Sequence, residues 1–179
     1  EANLTHARLA GIVASRAILN GADLSGADLT GANLTGANLA GANLTGANFT
    51  SADISGANLA GADLTGAILT NAIARGAKLA KANMRDVDLS PADLSGADLT
   101  GADLTDANVS GANLSKATLI RANLAGVNLL GADLTGADLS QASLFGEPPL
   151  LETLVGAKEI ETARPAVIRT PGDEPRAAI

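Results

Sequence analysis

The sequence has no cysteine, tryptophan or tyrosine, and it contains one histidine and two phenylalanines. The absence of cysteine excludes disulfides, thiolate metal sites and cysteine nucleophiles. Because Phe49 and Phe145 are its only aromatic residues, the chain offers no stacking platform for single-stranded nucleic acid, and we expect no direct nucleic-acid binding. It also lacks a run of 18 apolar residues, so we expect no membrane insertion.

A catalytic constellation is missing as well. The single histidine, His6, stands at a polar position without a plausible triad partner. The glycines recur at a fixed spacing and do not gather in a phosphate-binding loop. We therefore predict that the protein is not an enzyme and that it holds neither a cofactor nor a metal.

The dominant feature that the sequence does have is a five-residue period. From Ala2 to Gly146 it keeps one phase of the form Ala, Asp/Asn, Leu, Ser/Thr/Ala, Gly, for 29 repeats without an insertion. The third position holds Leu in 23 of the 29 repeats, and all its replacements are apolar. A step of five fits neither the 3.6-residue period of a helix nor the alternation of a strand. A short fixed period predicts a solenoid, in which each unit contacts only its neighbours.

The motif Ala-(Asp/Asn)-Leu-x-x, which is plain in Gly-Ala-Asp-Leu-Ser-Gly-Ala-Asp-Leu-Thr at residues 21–30, resembles the signature of the pentapeptide-repeat proteins. The resemblance covers about four-fifths of the chain. It implies an all-β fold, a right-handed quadrilateral β-helix with four repeats per coil. Leu and Ala would point inward and the other three positions outward, and about seven coils would stack.

The spacing of the aspartates favours the same coil length. Ten aspartates occupy the Asp/Asn position, and no two of them are 20 residues apart. In a coil of four repeats, residues 20 apart are stacked neighbours, and stacked like charges are destabilising. A coil of three repeats would stack one such pair, Asp88 on Asp103. The spacing therefore favours four repeats per coil.

The repeat stops at Glu147, where two prolines follow. We predict a solenoid over 1–146, a C-terminal capping helix over 147–164 and an extended or disordered tail over 165–179. The helix would cover the open last coil, whose apolar side chains and backbone groups need a partner. In the tail, Val167 and Ile168 are candidate anchors for a binding partner. The apolar stripe assigned to capping consists of Leu150, Leu151, Leu154, Val155 and Ile160.

Outward positions that depart from the consensus are candidate contact sites, because exposed apolar residues rimmed by charge are typical of interfaces. Repeat drift without a function is an equally open interpretation. We also expect Lys78 to pair weakly with Asp98, one coil further on. The N-terminal cluster consists of Val13 and Ile18. The central cluster consists of Ile68, Ile73, Arg75, Lys78, Lys81 and Arg85.

These features predict a non-enzymatic protein-interaction scaffold, or an accessory subunit of a larger assembly, with an unidentified protein partner. Its faces, its ends or its tail would bind, and self-association through the solenoid ends is an alternative. A second alternative comes from the resemblance, since some family members mimic duplex DNA and bind DNA gyrase or topoisomerase IV. That role needs a strongly acidic face. Here the net charge is −7, and basic residues interrupt the aspartates.

The sequence begins at Glu1 and not at a methionine. Removal of a targeting segment, which would place the protein in a thylakoid lumen or a periplasm, is one interpretation. A shortened sequence, with a cytoplasmic protein, is the other, and the two are equally open.

Overall fold

The computed structural model describes residues 2–144. In this range the chain forms no helix and no continuous strand, and its ladder consists of isolated parallel β-bridges. The bridges join each repeat to the fourth repeat after it, from Asn3 with Asp23 to Asn123 with Ser143. One coil of this β-helix solenoid therefore holds four repeats, which confirms the coil length predicted from the aspartate spacing. Residues 2–144 include no helix that is long and apolar enough to cross a membrane.

Each coil has four faces, one per repeat, and a turn separates each face from the next. We number the faces by their first bridge residues. Face 1 starts at Asn3, face 2 at Arg8, face 3 at Val13 and face 4 at Ile18, and each face gains one bridge residue with every further coil. The glycine position of each repeat forms the edge between two faces.

A repeat with the consensus residues satisfies all five of its backbone N–H groups. In the repeat over 22–26, four N–H groups donate to backbone carbonyls, one within the turn and three in neighbouring coils. The fifth, the N–H of Ser25, donates to the Asp23 side-chain Oδ1 at 3.0 Å. Asp and Asn are favoured at this position because their short side chains accept a hydrogen bond from the backbone two residues further on. We call this bond the Asx cap.

The edges require backbone with a positive φ. Every described glycine at an edge has φ between 60° and 69°, a conformation that costs glycine little and costs other residues about 1–2 kcal/mol. Ten other residues nevertheless adopt it: His6, Arg16, Ser51, Asn71, Lys81, Asp86, Asp106, Lys116, Arg121 and Gln141. The charged members of this set decide the charge of the edges.

The core is a stack of the Leu and Ala positions, which confirms their predicted inward direction. From Ala22 to Ala142 these side chains are buried, and the larger Phe49 is accommodated with no exposed surface. Leu4, Leu9 and other inward residues of the first coil are half-buried, because they pack against only one neighbouring coil.

Pro91 interrupts the ladder at the edge between faces 2 and 3. Proline lacks an N–H, and its ring holds φ at a negative value, so it cannot adopt the edge conformation. In addition, the N–H of Asn71 forms no backbone hydrogen bond with Ser90 O, whereas all other edge N–H groups between residues 6 and 121 donate to the next coil. This edge therefore loses two hydrogen bonds within the described chain.

The predicted capping helix over 147–164 and the tail over 165–179 lie outside the described residues. The same holds for Leu150, Leu151, Leu154, Val155, Ile160, Val167 and Ile168.

Candidate interaction surfaces

Both predicted clusters lie on the outer surface of the solenoid. Val13 and Ile18, in the first coil, are 78% and 82% exposed, and Ile68 and Ile73 are 42% and 38% exposed. The central cluster encircles one coil and does not form a single patch. Ile68 lies on face 2, Ile73 and Arg75 on face 3, and Lys78 on face 4; Lys81 follows on the edge between faces 4 and 1, and Arg85 on face 1.

The central cluster is a run of repeats that lack the Asx cap. Ile68, Ile73 and Lys78 offer no side-chain acceptor, so the N–H groups two residues after them are not capped. The next repeat has Asn83, but its Oδ1 is buried without a hydrogen-bond partner in the described chain. Four consecutive repeats thus forgo a hydrogen bond that is worth about 0.5–1.5 kcal/mol.

The N-terminal cluster repeats this feature three coils away. Arg8, Val13 and Ile18 also lack a cap acceptor. Bridge residues spaced by 20 stack in one column, and these three lie in the same columns as Ile68, Ile73 and Lys78. Faces 3 and 4 therefore carry exposed residues of both clusters.

Two of the basic residues in the central cluster are paired. Arg75 Nε lies 2.6 Å from Asp93 Oδ2, and Arg85 Nε lies 2.7 Å from Asp103 Oδ2. Ser95 stacks on Arg75, and Thr105 stacks on Arg85. In each pair the aspartate lies two positions before that stacked residue, so the contact runs diagonally between adjacent coils. Both arginine side chains stay more than half exposed, and exposed pairs of this kind contribute about 0–1 kcal/mol.

The predicted pair of Lys78 with Asp98 is wrong. The two backbones form a bridge, but within the described chain the only ion pairs are those of Arg75 and Arg85. Side chains in one column leave the backbone in parallel, so a short aspartate does not reach the end of a long lysine. Arg75 and Arg85 instead lie two positions after a bridge residue. Each therefore approaches the aspartate of the next coil diagonally and pairs with it.

The paired aspartates are held ionised. Partial burial acts to raise the pKa of Asp93, but hydrogen bonds from Arg75 and Ser95 outweigh it and lower that pKa. Burial likewise opposes ionisation of Asp103, and hydrogen bonds from Thr105 and Arg85 lower its pKa. Arg75 therefore faces a charged carboxylate at neutral pH, and so does Arg85.

The register between coils also sorts charged residues by face, which the linear sequence did not reveal. Arg16 and Lys116 were not among the predicted site residues, yet both lie, together with Arg121, on the two edges of face 4. Writing the sequence in rows of four repeats would have shown this. Among residues 2–144, no group of three or more metal-ligating side chains comes together, and His6 lies exposed at an edge of the first coil.

The family model for pentapeptide repeats matches the chain in eight copies, and the matched ranges include residues 1–36, 32–71, 67–106, 82–119 and 102–141. The chain belongs to the pentapeptide-repeat proteins. No significant match was found among curated proteins. The family match confirms the resemblance predicted from the motif.

Solved structures of pentapeptide-repeat proteins resemble the chain. HetL from the cyanobacterium Nostoc sp. strain PCC 7120, which is involved in the regulation of heterocyst differentiation, is 30% identical. The match covers 79% of this chain and 78% of HetL, with a TM-score of 0.54. A protein from the cyanobacterium Cyanothece 51142 is 39% identical over 52% of this chain and 64% of its own, with a TM-score of 0.51.

QnrB1, a plasmid-mediated fluoroquinolone resistance protein, is 20% identical over 80% of this chain and 77% of its own, with a TM-score of 0.74. At this identity the likeness concerns the fold alone.

Proposed function

We propose that this pentapeptide-repeat protein is a non-enzymatic scaffold or accessory subunit, and that it binds a protein partner through the central cluster. The supporting observation is the run of four repeats that forgo the Asx cap. Departures from local structural consistency are expected where function requires them. Here the caps are replaced by exposed Ile68, Ile73 and Lys78, which are residue types able to contact a partner.

The remaining predictions belong to the same proposal. The solenoid over 1–146 winds to the right in about seven coils, and a helix over 147–164 caps its C-terminal end. Val167 and Ile168 anchor the tail to the partner or to a second subunit. The N-terminal cluster contributes Val13 and Ile18, which share faces 3 and 4 with the central cluster.

The DNA-mimic alternative has less support. Ten aspartates at the bridge positions are spread over the four faces as three, two, three and two. Arg75 and Arg85 each pair with one of them. A surface with such interruptions lacks the continuous phosphate-like charge that competition with a duplex requires.

The proposal is tested by partner capture from a native extract, with partners identified by mass spectrometry. The variant carries Ile68→Asn, Ile73→Asn and Lys78→Asn, which restore the consensus residue and therefore preserve the fold. We expect a stoichiometric partner with the wild type and its loss with the variant.

A matched control is Arg8→Asn, which restores a cap outside the central cluster and, like the triple variant, removes one positive charge. The control should capture the same partner as the wild type. Retention of the partner by the triple variant would contradict the proposal.

A further inference from the structure

Face 4 differs in charge from the rest of the solenoid. This face and its two edges carry five basic and two acidic residues, a net charge of +3, whereas the other described faces and edges carry three basic and ten acidic residues, a net charge of −7. The five basic residues are Arg16, Lys78, Lys81, Lys116 and Arg121, and the two acidic ones are Asp98 and Asp138.

The cations of face 4 form no ion pair among residues 2–144. Within residues 2–144 neither Lys78 nor Lys81 forms an ion pair, and Arg121 Nε donates to the neutral Gln141 Oε1 at 2.8 Å. By contrast, two of the three basic residues elsewhere, Arg75 and Arg85, are paired with aspartates. Of the six cations in residues 2–144 that form no ion pair, five therefore lie on face 4 and its edges.

The surface between the cations is flat. Over two coils the outward positions of face 4 hold only Asn38, Ala40, Asn58 and Ala60, and the edges beside them are glycines. The Arg16 side chain leans along one edge, with its Cγ 3.6 Å from the site that a Cβ would occupy at residue 36. Lys81 and Lys116 lean toward the next coil in the same way, at 3.7 and 3.8 Å.

The cations are spaced for an extended chain that runs along the rod. Arg16 and Lys116 lie on one edge, five coils or about 24 Å apart, at about 4.8 Å per coil. Lys81 and Arg121 lie on the other edge, two coils or about 10 Å apart. A β-extended segment of about seven residues, at about 3.3 Å per residue, covers the longer distance.

We propose that face 4 is a docking surface for an acidic, extended segment of a protein partner, whose carboxylates contact the two cationic edges. The inference rests on the proposed scaffold function and assigns the face and the chemistry of the partner. A short acidic peptide stays within one face. A nucleic-acid duplex is wider, and its phosphates would come within a Debye length, about 8–10 Å, of the acidic faces beside face 4.

The test uses the full chain and a fluorescein-labelled 12-residue peptide of alternating Glu and Ala, with anisotropy measured in 50 mM NaCl. We expect saturable binding that weakens as salt increases. The variant Arg16→Gln, Lys116→Gln, Arg121→Gln should bind the peptide about tenfold more weakly. Glutamine suits these edges because Gln141 already adopts the required φ of 62°.

The matched control carries Arg8→Gln, Thr50→Glu and Leu130→Glu, which change the net charge equally but lie on face 2, opposite face 4. It should bind the peptide like the wild type. An equal loss in both variants would overturn the assignment to face 4, and so would a wild type that does not bind or that prefers a 20-base-pair duplex. If the variant Ile68→Asn, Ile73→Asn, Lys78→Asn nevertheless loses the partner captured from extract, the scaffold function stands. Only the assignment of the docking surface to face 4 is then wrong.

Discussion

A single side-chain oxygen explains the preference for Asp or Asn at every fifth residue. Asp63 Oδ1 accepts the N–H of Thr65 at 3.0 Å, its hydroxyl at 2.6 Å and the Asn83 side-chain amide of the next coil at 3.2 Å. The cap thus joins one turn to the coil above it. When an asparagine stacks on an aspartate, its side-chain amide donates a hydrogen bond to the carboxylate. A second aspartate at that place has no N–H to donate, which accounts for the absence of stacked aspartates.

Replacement of an exposed apolar residue by the consensus asparagine should therefore stabilise the solenoid. Ile18 is 82% exposed and buries little, whereas Ile18→Asn would cap the N–H of Asn20 and accept from the side chain of Asn38. We expect a gain of about 1 kcal/mol in the free energy of unfolding, measured by urea denaturation. Ile18→Ala, which provides no acceptor, is the control. A gain no larger than that of the alanine variant would contradict the role of the cap.

The inward positions should tolerate no charge. Leu94 is fully buried, and Leu94→Asp would place an unpaired carboxylate in the core at a cost of several kcal/mol. We expect loss of the native circular-dichroism signal or aggregation. Ala60→Asp, at an outward position, should keep the wild-type spectrum. A folded Leu94→Asp protein would show that this residue does not face the core.

At the scale of the repeat, the sequence predicted the element well, because period, apolar position and aspartate spacing all depend on contacts between identical units. It did not predict the ion pairs correctly. The expected partner of Lys78 lay in the same column, but the pairs that form, such as Arg75 with Asp93, run diagonally between adjacent coils. Which of several nearby aspartates an exposed cation reaches depends on side-chain direction, and the repeat pattern does not encode that direction.

The loss of cap acceptors was visible in the sequence only after the structure showed what the acceptor does. Ile68 and Ile73 were predicted as contact residues from their apolar character alone. Asn83 fits the consensus, and nothing in the sequence indicated that its Oδ1 would lack a partner within the described chain.

Pro91 marks the weakest edge of the described ladder. Pro91→Gly should restore both the positive φ and the missing N–H, so that the edge regains two hydrogen bonds. We expect the Asn71 amide to exchange rapidly with solvent in the wild type and slowly in the variant, as the hydrogen-bonded edge amide of Gly76 does in both. Slow exchange of the Asn71 amide in the wild type would contradict the interruption of the hydrogen-bond ladder at Pro91.

Aspartates across the solenoid also make its stability sensitive to acid. The pKa of Asp23 is lowered mainly by the N–H of Ser25, and that of Asp28 mainly by the hydroxyl of Thr30. The pKa values of Asp53, Asp93 and Asp103 are lowered too.

Because these folded-state pKa values lie below the unfolded value of about 3.9, the carboxylates stabilise the fold above that pH. Their contribution is lost as pH falls through the folded-state values. We expect a constant Tm from pH 5 to 8 and a falling Tm below about pH 4, measured by thermal denaturation. A Tm that holds or rises below pH 4 would contradict the direction of these shifts.

As a whole molecule, the solenoid combines a regular core with an uneven surface. Identical contacts between coils set the shape, so the outer residues are free to vary without loss of the fold. They vary most in the central cluster, and positive charge collects around face 4. A rigid rod with such a surface suits a protein that holds partners in place.

The most direct test of this account is hydrogen exchange of the free protein and of its captured complex. In the free protein the uncapped amides of Thr70, Arg75 and Ala80 should exchange faster than the capped amide of Thr45. We predict that the partner slows exchange at the three uncapped amides and leaves Thr45 unchanged. Unchanged exchange at all three, with protection elsewhere, would show that the central cluster is not the contact surface.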